Sequence, residues 1–267
     1  MLRKALPFAF LSALVAVFFD ADTILLSHLR GDQEVAYYQA GMKIMVSLTV
    51  IPHILDSSFL PVLSRSAGEG KVLKNLGEQL VTILFYFSIP LFIVILATGD
   101  QVIGFLYGEL FWPAIECFRV LGIMLVLRFW FKAYFAILLS MDKQGPLLLA
   151  VAMATVANIL LNLYWIPLSG REGAAWTGVV THSFLILACI GILLREKVTA
   201  MLDKRVGIII VCGAVFAGLF YIAKDSSVIA ITLVYLGCYF ASTSWVVRRE
   251  FTQIFRTIWP VGNPGGN

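Results

Sequence analysis

The sequence predicts an all-α fold, a polytopic membrane helix bundle of about eight transmembrane helices. Composition is the first reason. Of 267 residues, 60% are hydrophobic and 13% are charged, whereas a soluble domain carries about a quarter charged residues. Run length is the second, because the apolar residues gather in stretches near the ~20 residues that cross a bilayer. Loop length is the third, since no connection is long enough to hold a soluble catalytic domain. The net charge of +4 is spread over short loops, which speaks against a nucleic-acid-binding face.

Taken in order, the spans run over residues 5–27, 35–63, 79–99, 113–140, 146–167, 173–194, 206–223 and 227–247. Arg3 and Lys4 before the first run imitate a signal peptide. Asp20 and Asp22 interrupt that run and no small-residue cleavage site follows, so a retained helix is expected. The second span is long and contains Pro52 and Pro61, which predicts a kink. Residues 104–112 read as a short interfacial segment leading into the fourth span, and Gly170 to Gly173 as a tight turn after the fifth. The first six spans form one unit over 1–197, and 198–267 adds two helices and a tail. Arg248, Arg249 and Arg256 at that end suit either anionic lipid at the inner surface or a plain solvated tail. Cys117, Cys189, Cys212 and Cys238 fall in apolar runs without metal-type spacing and read as small buried hydrophobes.

Loop charges give the orientation. With the N-terminus cytoplasmic, thirteen Lys and Arg residues fall in inner segments, and only Arg30, Arg171 and Lys224 fall in outer loops. That asymmetry predicts both termini inside.

The charges left within the spans are the candidate functional groups. A charge at membrane depth costs about 2.5–3.5 kcal/mol and normally faces a bundle interior or a wet cavity. Arg128 and Lys132 lie four apart in Arg128-Phe129-Trp130-Phe131-Lys132, so they share one helix face. Estimated by depth, the charges form two layers. The outer holds Asp20 or Asp22 with Lys43, and the inner holds His53, Asp56, Arg128 and Lys132. Asp20 and Asp22 stand about 200° apart around a helix, so at most one of them is expected to face inward. Arg128 and Lys132 suit an anion, the alternatives being an internal bridge to Asp56 or snorkelling by Lys132. Lys43 with Asp20 or Asp22 reads as a structural pair or as a gating and coupling pair. Arg119 reads as snorkelling or as a partner of Glu116, and His53 as an interhelical hydrogen bond or a proton relay. Asn158 and Asn162, four apart, read as glue between helices or as contacts to sugar.

No motif points to an enzyme. Gly68-Glu69-Gly70-Lys71 lacks the spacing of a phosphate-binding loop, and His28, His53 and His182 are scattered. No nucleophile and base come together, and no metal site is expected.

Three segments near the start carry a family resemblance. They are Asp22-Thr23-Ile24-Leu25-Leu26-Ser27, Val35-Ala36-Tyr37-Tyr38-Gln39-Ala40 and Leu60-Pro61-Val62-Leu63-Ser64-Arg65. Leu106-Tyr107-Gly108 follows, then Asn158, Asn162, Ile166-Pro167, Gly170 and Gly173-Ala174-Ala175. In this order they resemble a half, the C-terminal one, of the polysaccharide and oligosaccharide flippases. Those proteins belong to the multidrug/oligosaccharidyl-lipid/polysaccharide exporter superfamily. The likeness covers about residues 1–195, and Ala36 departs from it where that family tends to have glycine.

The resemblance implies alternating access between two six-helix bundles around a cationic cavity. The substrate it implies is a lipid-linked oligosaccharide carried on a polyprenyl pyrophosphate. Arg128, Lys132 and Lys43 would then bind substrate, while Asp22, Asp56 and Asp20 balance charge or couple transport to H+ or Na+. His53, Asn158 and Asn162 would add polar contacts. No cofactor is expected. The chain would sit in a bacterial-type inner (plasma) membrane among its lipids, paired with a second copy or a separate N-terminal half. The rival readings are a multidrug or cation antiporter of the same superfamily, a membrane glycan polymerase or ligase, and a non-transporting half.

Overall fold

A computed structural model describes residues 2–198, 203–222, 232, 234–244 and 247–248. Its helices are α1 (Leu2–Arg30), α2 (Asp32–Leu48), α3 (Val50–Arg65), α4 (Gly70–Tyr107), α5 (Ala114–Ser140), α6 (Gln144–Arg195) and α7 (Lys204–Ile222). A 3-10 turn at Glu109–Phe111 joins α4 to α5, and residues 234–244 are helical as well. No strand occurs among the described residues, and the all-α expectation holds. The eighth predicted span lies only partly within them. Arg249, Arg256 and the rest of the C-terminal tail lie outside the described residues.

The second predicted span is indeed discontinuous, but the break falls at Thr49 and not at a proline. Pro52 has no N–H to return to the carbonyl three or four residues back, and its ring crowds that turn. The chain therefore closes α2 early. The Thr49 N–H donates to the carbonyls of Met45 and Val46 at 3.2 and 3.1 Å, and its hydroxyl donates to Val46 at 2.6 Å. Pro61 is taken up inside α3 without a break.

The fifth and sixth predicted spans belong to one helical stretch, α6, of 52 residues. At about 1.5 Å per residue a straight helix of this length would run about 78 Å, more than twice the ~30 Å hydrocarbon core. Gly170 divides it. Its φ of 56° and ψ of −132° are those of the first central position of a type II′ turn, which glycine adopts without a steric cost. The chain reverses there, and the two arms press together so closely that a Cβ on Gly173 would collide with the Trp165 carbonyl. The predicted turn and the two flanking spans are therefore all present.

Among the described residues, four stretches are long and apolar enough to cross a membrane, namely Asp32–Arg65, Gly70–Tyr107, Ala114–Ser140 and Gln144–Arg195. α5 stands in the middle, in contact with α2, α3, α4 and α6. Its Phe118, Leu121, Leu125 and Phe129 are buried in the core shared by these helices. The Trp130 ring stacks on Phe85 of α4 with centroids 3.9 Å apart. A helix enclosed on several sides has no need of a polar stripe, so Arg128 and Lys132, deep within α5, stand out.

Candidate functional site

The break at Thr49 opens a cavity against α5. Thr49, Pro52 and His53 line one wall, and Arg128, Phe131, Lys132 and Phe135 line the other. Its volume is about 170 Å³, below the roughly 300–1,000 Å³ of sites that enclose a drug-sized ligand. A space of this size suits a small group. The four-residue spacing on α5 sends both cations to this side, as helical geometry requires. Lys132 Nζ lies 3.1 Å from Asp56 Oδ2 and 5.6 Å from the centre of the Phe135 ring. The other carboxylate oxygen, Asp56 Oδ1, is buried without a hydrogen-bond partner. The residues assigned by depth to an inner layer, His53, Asp56, Arg128 and Lys132, are thus brought together.

Behind this wall lies a second polar cluster around Asp22, which is 5% exposed. Asp22 Oδ1 accepts from Asn158 Nδ2 at 3.0 Å and from Asn162 Nδ2 at 2.6 Å, and Oδ2 accepts from the Tyr38 hydroxyl at 3.1 Å. Asn162 Nδ2 also donates to Asn158 Oδ1 at 3.0 Å. The Asn162 side-chain oxygen is buried and accepts no hydrogen bond. Gly178, on the returning arm of α6, brings its backbone close enough that a Cβ there would stand 4.0 Å from Asp22 Oδ2. Arg128 lies within electrostatic reach of both Asp22 and Tyr38, so the cavity and the buried carboxylate share one cation.

The outer layer differs from the expected one. Asp22 faces inward and Asp20 is exposed, so one of the two does turn to the interior. Lys43 is exposed as well, and no ion pair joins it to Asp20 or Asp22 among the described residues. Depth alone put Lys43 level with these acids, while the rotation of α2 turns it to the outside face and gives Asp22 to Tyr38. Arg119 pairs with Glu116 at 2.6 Å, one of its two expected arrangements.

Comparison with known proteins adds the family. The family model MatE matches residues 7–164, more than half of the chain. The chain belongs to the MatE family. This MatE chain is 25% identical over 179 residues to the "Putative O-antigen transporter" of Shigella flexneri, a match covering 65% of the chain and 41% of that protein. Its fold is similar to that of lipid II flippase MurJ in an inward closed conformation. The TM-score is 0.68 at 12% identity, over 89% of this chain and 52% of MurJ. It is also similar to an outward-facing multidrug resistance MATE family transporter of the MOP superfamily. There the TM-score is 0.66 at 15% identity, over 96% of this chain and 67% of that one. The chain spans between about two fifths and two thirds of the length of these proteins. The superfamily that the sequence motifs resemble is the right one, and this is a multi-pass membrane protein.

One cluster of the MatE chain escaped the sequence reading. Arg171, counted there only as an outer-loop cation, is a clamp. Its N–H and Nη1 hold the two oxygens of Glu34 at 3.0 and 2.5 Å, and its Nε donates to the Pro113 carbonyl at 3.0 Å. The guanidinium also lies 5.3 Å from the centre of the Tyr37 ring. Arg30 ties the same end together by donating to the carbonyls of Ile166 and Pro167 at 3.1 and 2.6 Å. The available signal was Glu34 in the first turn of α2, facing a lone base beside a glycine turn.

Proposed function

We propose that this chain moves a polyprenyl-pyrophosphate-linked oligosaccharide across the membrane, as one bundle of a two-bundle exporter. The observation that carries this reading is the cavity at the α2–α3 break, where Arg128 and Lys132 share a wall with Phe131 and Phe135 and face Pro52 and His53. A guanidinium offers paired donors to phosphate oxygens and an ammonium offers a movable point charge. The volume suits the pyrophosphate, with the lipid and the glycan left outside. The translocation is non-covalent, and no cofactor or enzymatic step enters it.

Asp22 is the proposed coupling site. A buried carboxylate that already gathers three neutral donors, with a spare amide oxygen beside it, suits H+ or Na+. Through Arg128, its charge state reaches the cavity. Arg128 and Lys132 bind the substrate, Asp56 balances their charge, and His53 adds a polar contact. Lys43 and Asp20, both exposed on the α1–α2 side, are left for the facing bundle. That bundle is a second copy or a separate N-terminal half. The excess of basic residues in one set of loops supports an orientation with both termini on the cytoplasmic side of an inner membrane.

The multidrug antiporter is the rival, supported by the second structural neighbour. A cationic drug, however, would meet Arg128 and Lys132 in the cavity lining, with Asp56 behind it already paired to Lys132. Reconstitution decides between them. Vesicles receive the chain and a fluorescent polyprenyl-pyrophosphate sugar, and an impermeant quencher reads the exposed fraction. Wild type is expected to flip the lipid, alone or with a partner half, and Arg128→Glu to fail. Asp22→Asn is expected to flip without dependence on the ion gradient. Drug efflux that survives Arg128→Glu, with no glycolipid flipping by wild type, would overturn the reading.

A further inference from the structure

We propose that Asp56 is a built-in competitor of the transported anion, holding Lys132 in the empty cavity and releasing it when a phosphate group enters. Asp56 thereby sets how tightly the cavity grips its cargo. The proposal rests on the reading of the cavity as an anion site.

Two partly buried acid–base pairs, Glu34–Arg171 and Asp56–Lys132, are built differently, and the difference carries the argument. In the Glu34–Arg171 pair both carboxylate oxygens are engaged, and the guanidinium also holds a backbone carbonyl. Such a pair has nothing to exchange. In the Asp56–Lys132 pair one oxygen meets one ammonium at 3.1 Å, and the other oxygen is buried without a hydrogen bond. A buried pair with lone pairs left unsatisfied is a poor structural bridge. It is a good placeholder, because the ammonium stands on a flexible stem and its donors can turn to another acceptor.

The neighbours supply that alternative. Lys132 itself lines the cavity with Arg128 and His53, while Asp56 lies one helical turn beyond Pro52 and His53, outside the lining. Lys132 Nζ is also near the Phe135 ring that borders the cavity. A phosphate oxygen presents the acceptor chemistry of a carboxylate with more charge and without the desolvated second oxygen. The charge count follows the same logic. Arg128, Lys132 and Asp56 leave the empty cavity at one net positive charge, and neutralising Asp56 doubles it. A conducting site must bind strongly enough to load and weakly enough to unload, and an internal acid competing for one of two cations gives that balance.

The test measures inorganic pyrophosphate binding by calorimetry to the full chain in nanodiscs, with a thermal melt for each variant to confirm folding. Asp56→Asn is expected to tighten binding by about tenfold, and Asp56→Glu to return it to the wild-type value. In a Lys132→Gln background the gain from Asp56→Asn is expected to vanish, since the acid acts through that lysine. An unchanged or weakened affinity in Asp56→Asn would overturn the proposal. So would an equal gain with and without Lys132, which marks a diffuse charge effect. Arg128→Ala separates the two levels. If it weakens pyrophosphate binding while Asp56→Asn does nothing, the anion site stands and only the competitor falls. If it leaves pyrophosphate binding unaltered, the anion site itself falls and the competitor with it.

Discussion

Asp22 gathers donors from three other positions, Tyr38, Asn158 and Asn162. Removing the acceptor leaves the Tyr38 hydroxyl and the Asn158 amide N–H buried without it, while Asn162 keeps its bond to Asn158 Oδ1, and each buried donor left unpaired costs about 1–3 kcal/mol. Asp22→Ala is therefore expected to lose at least about 2 kcal/mol, seen as a lower melting temperature of the purified protein. Asp22→Asn keeps one acceptor oxygen and is expected to lose less. Arg171→Lys tests the clamp at the opposite kind of site. Lysine retains the charge but not the fork that reaches Glu34 and Pro113 together, so a loss of about 1–2 kcal/mol is expected by the same melt. At this scale the sequence was half legible. Helical angles alone showed that at most one of Asp20 and Asp22 turns inward. Which one, and toward which partners, depends on how α6 is rotated, and nothing local to α1 records that.

The paired arms of α6 make a sharper prediction for an element. A Cβ on Gly173 meets the backbone carbonyl of Trp165, whereas one on Gly178 meets the sulfur end of the Met124 side chain at 2.5 Å. Backbone cannot step aside and a methionine can. Gly173→Ala is expected to cost about 2 kcal/mol or more, and Gly178→Ala less than about 1 kcal/mol, in parallel melts. Equal losses would mean that the arms separate easily. For the α2–α3 break, Pro52→Ala restores the missing N–H. It is expected to straighten the helix, narrow the cavity and weaken pyrophosphate binding several-fold in the same calorimetric assay. The break was legible as a kink because proline chemistry is local. Its position at Thr49, on the side that opens toward Arg128, required the packing of α5.

At the scale of the whole molecule, the reversal at Gly170 puts Ser169 and Gly145 at opposite ends of one arm of α6. Both are exposed. In a background without native cysteines, Ser169→Cys is expected to react with an impermeant maleimide from outside intact cells. Gly145→Cys is expected to react only after lysis, because the proposed orientation turns the basic ends to the cytoplasm. The reverse pattern would invert the proposed orientation. The bundle itself was the most legible feature, since span length and hydrophobic runs follow from bilayer thickness. The cavity was legible only as two cations in search of an anion, and the Arg171 clamp hardly at all. Loop charges are ordinary in a membrane protein until the fold shows which acid they meet.

The contacts of Asp22 also set a clock. Tyr38 lies 16 residues further along the chain, while Asn158 and Asn162 lie 136 and 140 residues further. At roughly 5–20 residues per second, a ribosome needs about 7–28 s to deliver the second pair. For that interval the newly made first helix holds its acid with a single phenol for company. Tyr38→Phe is thus expected to reduce the yield of inserted protein more than it lowers the melting point of the protein that survives.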